Sequence, residues 1–214
     1  MIKVFLNDDL LAKHLALQIL KQLKIKKKLV LGCPGGRSLK KTYFYIGRLS
    51  TKLNISLNNL TIVMMDEYVE KKRGKYSLVN PKSHYSCVRF SKQVIKRLLN
   101  YKKNKKNELK KENILFPPLD FPNTYDKKIN KIGGIDIFLL ASGASDGHVA
   151  FNNIYSRLNQ GTHIAKLSKK TREDNMKTFP QFKKLGEVPK YGLTVGLKTA
   201  VSAWALCKIP PRKW

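Results

Sequence analysis

The chain has 214 residues, enough for one domain with a sizeable core, and its 42% apolar content excludes a disordered chain. The formal charge of +29 comes from Lys scattered through the whole sequence, with Arg far rarer and no Arg-and-aromatic nucleic-acid module, so it reads as a compositional bias. Such a surface still draws phosphorylated substrates and binds polyanions loosely.

Cys33, Cys87 and Cys207 are too few and too scattered for a disulfide framework, and an odd count suits a reducing compartment. No apolar run approaches transmembrane length, and Met1 leads into a short strand rather than a signal peptide, so the expected location is the cytoplasm. That first strand is read at residues 2–6. Asn7 or Asp8 can cap a helix in which Leu10, Leu11, His14, Leu15, Ile19 and Leu23 recur at helical spacing, His14 being a packed structural residue. Residues 28–32 form a second strand. Then comes Cys33-Pro34-Gly35-Gly36-Arg37-Ser38, followed by a helical run over 39–49.

A strand, a Gly-rich loop and a helix make an anion-binding arrangement. The glycines admit a close backbone approach, and the helix start offers free N–H groups and a favourable dipole. Arg37 and Ser38 add donors. The loop is neither a Walker sequence nor GxGxxG, so by itself it is as compatible with a plain tight turn as with a phosphate site. A third strand, 59–65, runs into Asp66-Glu67-Tyr68, where adjacent carboxylates fit a cap, a metal site or a catalytic base; spacing alone favours a cap or surface loop. Residues 83–101 read as a helix with Val88, Val94, Ile95 and Leu98 inward. His84 and Cys87 are spaced like half a zinc site, but no second pair follows. The Lys/Asn-rich run 101–112 is solvated, 113–116 is a short strand stopped by Pro117-Pro118, and 127–132 is a short helix.

The apolar run 135–141 has the length of a buried strand and breaks into a turn of small residues ending in Asp146-Gly147-His148, two proton-transfer groups flanking a Gly. In an open α/β sheet, ligands bind past the carboxyl ends of the strands, where this turn would lie. Gly143-Ala144-Ser145-Asp146-Gly147 matches a nucleophile elbow, but the later acid and His that a hydrolase triad needs in that order are missing. Residues 163–167 follow as a strand, Ser168 caps a helix through Lys177, and 193–196 is a last strand. Strands alternating with helices imply an α/β fold: a doubly wound, mainly parallel sheet with helices on both faces. The tail from Ala203 reads as an apolar helix start that stops at Trp214. The expectation is one domain over 1–214 lacking its C-terminal end, with apolar surface exposed near 194–206; a short closing helix at 200–207 is the alternative.

Five segments resemble the glucosamine-6-phosphate deaminase/isomerase family, which also includes 6-phosphogluconolactonases, over about residues 29–200. Leu31-Gly32-Cys33-Pro34-Gly35-Gly36-Arg37-Ser38 is similar to the family's phosphate loop. Met65-Asp66-Glu67-Tyr68 is similar to its strand-end acid motif, and Asp146-Gly147-His148-Val149-Ala150-Phe151-Asn152 to its ring-opening motif. Thr171-Arg172 through Asn175, then Val188-Pro189-Lys190-Tyr191-Gly192-Leu193-Thr194-Val195-Gly196, follow in order. Any one segment is weak; five in order are specific. Ala150-Phe151-Asn152 favours the deaminase side.

The resemblance implies a Rossmann-like fold of the sugar-phosphate isomerase type and an aldose–ketose isomerisation coupled to loss of ammonia. Asp66 would shuttle a proton between C1 and C2 through an enediol. His148 would open the sugar ring, with Asp146 orienting the imidazole. Gly35, Gly36, Arg37, Ser38 and Lys177 would hold the phosphate. The route implies no metal and no other cofactor. Its partner would be a small phosphorylated sugar, with no specific nucleic acid and no membrane, and with a homo-oligomer left open. The sequence departs from the pattern at Asn153, where family deaminases carry a relay Glu; an amide neither takes nor releases a proton. Arg37 replaces a Gly of the phosphate loop, Lys177 stands where the family has a phosphate-binding Arg, and a later phosphate-binding Lys has no counterpart. These departures keep open a lactonase-like hydrolase and a sugar-phosphate- or polyanion-binding protein of impaired turnover.

Overall fold

The computed structural model describes residues 3–143, 145–203 and 205–209. Helix α1 (Asp8–Lys26) starts where Asn7 accepts a hydrogen bond from the Leu10 N–H at 2.9 Å, and acidic Asp8 and Asp9 sit in its first turn where the helix dipole favours them. It buries Leu15, Ala16, Ile19, Leu20 and Leu23. Strand β1 (Leu29–Cys33) leads through the Gly-rich loop and a 3-10 turn (Arg37–Leu39) into α2 (Lys40–Lys52). Strand β2 (Leu60–Met64) follows. A helical stretch is built from α3 (Cys87–Phe90), a π-helical turn (Ser91–Ile95) and α4 (Lys96–Leu99).

The remaining connections follow the same plan. The short β5 (Ile114–Leu115), helix α5 (Thr124–Lys131) and β6 (Ile137–Ala141) continue the alternation, and β9 (Ala205–Ile209) closes one edge. These strands form a parallel sheet of order β5-β2-β1-β6-β9. Alternation along each strand divides the core. Leu29, Leu31, Ile62, Met64, Ile137 and Leu139 point into the cluster with α1 and α2, whereas Val30, Val63, Phe138 and Leu140 meet Tyr125 and Ile129 of α5. Helices therefore cover both faces. The chain moves outward from β1 through β2 to β5, then restarts beside β1 at β6. The carboxyl ends of β1 and β6 thus flank a topological switch point, where open parallel sheets bind ligands.

A second, antiparallel sheet of order β4-β3-β8-β7 stands beside this point. It contains β3 (Asp66–Lys72), β4 (Lys75–Leu78), β7 (His163–Lys166) and β8 (Tyr191–Thr194). Helix α6 (Lys169–Thr178) connects β7 toward β8, and α7 (Leu197–Val201) follows β8. Among the described residues no helix is long and apolar enough to cross a membrane.

Several expectations change. The strands at 163–167 and 193–196 exist but pair antiparallel, because Thr194 faces both Asp66 and His163 across the ladder. The carboxylates of Asp66 and Glu67 do not lie on a surface loop: both are buried at the start of β3. Residues 3–6 form no strand, for they pair with none of the described strands and leave Val4 90% and Leu6 96% exposed. Residues 83–86 are a turn ahead of α3. The helix expected as the alternative at 200–207 stops at Val201, where α7 ends. Ala205–Ile209 instead adds a parallel strand alongside Ile137–Ala141, since backbone pairing is available on the open edge of β6. Residues 210–214 lie outside the described residues.

One carboxylate ties the later elements together. Asp126 of α5 accepts from the Thr162 N–H (2.7 Å), the Thr162 hydroxyl (2.9 Å) and the Thr199 hydroxyl of α7. Asp126→Ala leaves three donors without their acceptor and is expected to cost about 2–4 kcal/mol. Urea unfolding checks this; a loss below about 0.5 kcal/mol would show that water replaces the carboxylate.

Candidate active site

A cleft of about 440 Å³ opens at the switch point. Pro34 to Ser38 line one side, Asp66 and Cys87 the floor, and Gly143, His148 and Phe151 the other side; Asp174, Asn175, Thr178 and Phe179 of the α6 segment complete it. Of the residues expected to act, Gly35, Gly36, Arg37, Ser38, Asp66 and His148 all line this one cleft.

Asp66 is 7% exposed, and its Oδ1 accepts from the Gly35 N–H at 3.3 Å. Burial is the main influence on it and pushes its carboxyl up to about 7; a hydrogen bond from the Cys87 thiol and the Gly35 N–H hold it down, while neighbouring Glu67 pushes it further up. A carboxyl poised near neutrality can both take and return a proton. Glu67 has a different task. Its carboxylate accepts from Ser86 Oγ (2.8 Å), the Cys87 N–H (3.0 Å), the Val88 N–H (2.8 Å) and the Tyr68 N–H (2.7 Å), so it caps the start of α3 from another segment. The capping role read for this acidic pair thus belongs to Glu67 alone.

His148 is held from behind. The left-handed Gly147 (φ +67°) turns the chain so that Asp146 and His148 fold onto each other. The imidazole Nδ1 lies 2.5 Å from Asp146 Oδ1. The other carboxylate oxygen accepts from Ser168 Oγ (2.7 Å) and Thr171 Oγ1 (2.8 Å). Burial raises the Asp146 carboxyl, but the hydrogen bonds from Ser168, His148 and Thr171 outweigh it and hold the group well below the usual aspartate range. An ionised acceptor at Nδ1 places the ring proton there, which leaves Nε2 as the basic nitrogen for a bound molecule. Ser168 does double duty, because its Oγ also accepts the Thr171 N–H at 3.0 Å and caps α6. Gly143 makes room for the ring: a Cβ there would lie 2.1 Å from His148 Nδ1.

The rest of the motif is structural. Ala150 is strained at φ +52°, and Asn152 pins it by donating to Val195 O at 2.8 Å and Val149 O at 3.1 Å. Asn153 sits outside the cleft lining, where its Oδ1 accepts the Tyr155 N–H at 2.9 Å. Arg172 donates to the carbonyls of Leu185 and Val188 and fixes the segment before β8. Lys177 is also outside the lining, 3.8 Å from Asp174. Arg37 spans the cleft, donating to Thr178 O, with its guanidinium 6.0 Å from the Phe179 ring centre. Lys40 and Lys41, which the sequence reading passed over, line the cleft as well, and Lys41 is held by Asp8 and Asp9. Among the described residues no three His, Cys, Asp or Glu side chains converge as a metal ion would require.

Ser145 donates to Asp174 Oδ1 at 2.6 Å, and its N–H reaches Asp174 Oδ2 at 3.0 Å. It therefore braces the turn against α6 instead of facing a general base. Ser145→Ala is expected to leave kcat within about threefold and to cost about 1 kcal/mol of stability. A loss of about 10³-fold or more would return Ser145 to the role of nucleophile.

No family model matches the chain. It is 29% identical over 209 residues to a glucosamine-6-phosphate deaminase of Alkaliphilus metalliredigens, covering 94% of the chain and 78% of that protein. Corresponding enzymes of Mycoplasmopsis pulmonis (30% identity over 202 residues, 94% and 74% covered) and Clostridium tetani (31% over 210 residues, 94% and 78%) match similarly. Among solved structures, a monomeric glucosamine-6-phosphate deaminase superposes with a TM-score of 0.74 at 25% identity, covering 94% of this chain and 77% of that one. The 6-phosphogluconolactonase of Thermotoga maritima shares the fold with a TM-score of 0.64 at 16% identity, covering 94% and 78%.

Proposed function

The chain belongs to the glucosamine-6-phosphate deaminase family, and from that premise we propose that it converts glucosamine 6-phosphate and water to fructose 6-phosphate and ammonia. The observation that carries this reading is the placement of Asp66 and His148 on one cleft beside the Gly35-Gly36 loop. His148, oriented by Asp146, moves the proton that opens the sugar ring through Nε2. Asp66 then takes the proton from C2, giving the enol-type intermediate, and returns it to C1, giving an imine at C2 that water hydrolyses to the ketone with release of the nitrogen as ammonia. A buried carboxyl near neutrality suits a shuttle, since each transfer must be reversible at working pH. The backbone of Gly35 and Gly36, with Arg37 and Ser38, receives the phosphate, whereas Lys177, outside the lining and 3.8 Å from Asp174, contributes only its charge.

Asn153 forms a local turn and takes no proton, so Asp146, Ser168 and Thr171 are the groups that support His148 in this chain. Incubation of the purified full chain with glucosamine 6-phosphate, followed for ammonia and ketose together, tests the reading. Stoichiometric release of both supports it. Absence of both, in folded protein, rejects it.

A further inference from the structure

Along α6, Thr171, Asp174, Asn175 and Thr178 recur at helical spacing and share one face, and the last three line the cleft. Three of the four are engaged. Thr171 Oγ1 donates to Asp146 and lies 3.3 Å from His148 Nδ1, Asp174 accepts from Ser145, and the Thr178 carbonyl accepts from Arg37 of the Gly-rich loop. Asn175 differs. It stands one turn after Thr171 and about one turn before Thr178, and its Nδ2 is enclosed with no hydrogen-bond partner among the described residues. An enclosed amide without an acceptor costs free energy in the folded chain, and an acceptor on a bound molecule recovers it. The last torsion of an Asn side chain is soft, so a turn of the amide brings an N–H to the cleft without moving the helix.

We propose that Asn175 is a binding residue for the substrate phosphate: its amide donates to a phosphate oxygen that the loop of residues 35–38 receives from the other side. The proposal deepens the sugar-phosphate reading of this cleft and rests on it for the place of the phosphate. Two observations select the phosphate over a sugar hydroxyl. Arg37 of that loop reaches the Thr178 carbonyl, on the same face of α6 as Asn175, so the loop and this amide close on the same part of the cleft. The group without a partner is also a pure donor, and an ionised phosphate oxygen only accepts, whereas a hydroxyl suits either amide atom. A hydrogen bond to an ionised acceptor is about twice as strong as one to a neutral acceptor.

The test adds Asn175→Leu to the full chain carrying Asp66→Asn, a parent that holds glucosamine 6-phosphate without turning it over. Calorimetry at physiological salt measures glucosamine 6-phosphate directly and inorganic phosphate by competition. Asn175→Leu keeps the size of the side chain and loses the donor. It is expected to weaken both ligands by about tenfold or more. It is also expected to melt no lower than its parent, because the amide has no acceptor in the free fold and Leu is the better helix former. Equal affinity of parent and variant for inorganic phosphate, including none in either, overturns the proposal, as does weakening of glucosamine 6-phosphate alone, which would assign the amide to a sugar hydroxyl. A melting temperature lowered by several degrees with binding unchanged would make Asn175 a packing residue and overturns it too. Ammonia release is followed separately in the chain with Asp66 intact. If that chain releases none while Asn175→Leu still loses phosphate affinity, the role of Asn175 stands and the deaminase reading falls.

Discussion

Asp66→Asn is expected to reduce kcat for ammonia release by about 10³-fold or more, with KM changed little, because the amide keeps the shape of the carboxyl and loses the proton transfer. The wild-type rate is expected to fall as pH drops through about 7, where Asp66 becomes protonated and can no longer accept the C2 proton. Stability runs the other way. Asp66 binds its proton more tightly in the folded chain, so its contribution is full below the ordinary aspartate range and is lost as pH rises from about 4 to about 7. Asp66→Asn removes that dependence, and the variant is expected to be more stable than wild type above pH 7 while nearly inactive. Thermal unfolding across pH beside a kinetic profile checks both halves. A variant that loses activity together with stability would point to a structural role.

The second large effect concerns the imidazole. His148→Gln is expected to cost about 10²–10³-fold in kcat, and Asp146→Asn a comparable factor, because an amide no longer fixes the Nδ1 proton. The double variant is expected to lose little more than either single one, since the two side chains act as a unit. Additive losses would mean that Asp146 acts elsewhere. Ser168→Ala and Thr171→Val each remove one donor to Asp146 and are expected to give smaller losses in the same direction. Asp146 also contributes to stability above the ordinary aspartate range, and that contribution is lost as pH falls from that range down through the lower value of its folded carboxyl.

The parallel half of the fold was legible because buried parallel strands read as continuous apolar runs. Residues 28–32, 59–65 and 135–141 all became central strands, and Asn7 and Ser168 capped helices as their side-chain chemistry suggests. The antiparallel sheet was harder to read. The sequence gives 66–78 no alternation that distinguishes a hairpin: β4 is exposed throughout, and Lys71, Lys72, Arg73 and Lys75 look like any other charged loop. Pairing direction is a property of long-range topology and leaves no local trace in residues 163–167. The terminal strand was misread for a related reason, as five residues after a helix carry too little periodicity to separate strand from helix.

At the site, Asp66, Asp146 and His148 could be named from their motifs, and Gly35 and Gly143 mark where side chains need room. The support was not nameable. Ser168 and Thr171 were visible as a cap and a motif residue, yet nothing local says that their hydroxyls reach Asp146, some twenty residues away. Glu67 and Cys87 carry their partners across a similar gap, which only the fold closes.

In the proposed reaction one buried carboxyl moves the proton between adjacent carbons of an amino-sugar phosphate. Turnover of glucosamine 6-phosphate carrying deuterium at C2, in ordinary water, tests it most directly, with the ketose examined by NMR and 6-phosphogluconolactone offered in parallel. The expected products are ammonia and fructose 6-phosphate in equal amounts, with the hydrogen newly placed at C1 delivered to a single face and its transfer lost in Asp66→Asn. Lactone hydrolysis without ammonia release, or normal C1 labelling in Asp66→Asn, would contradict it.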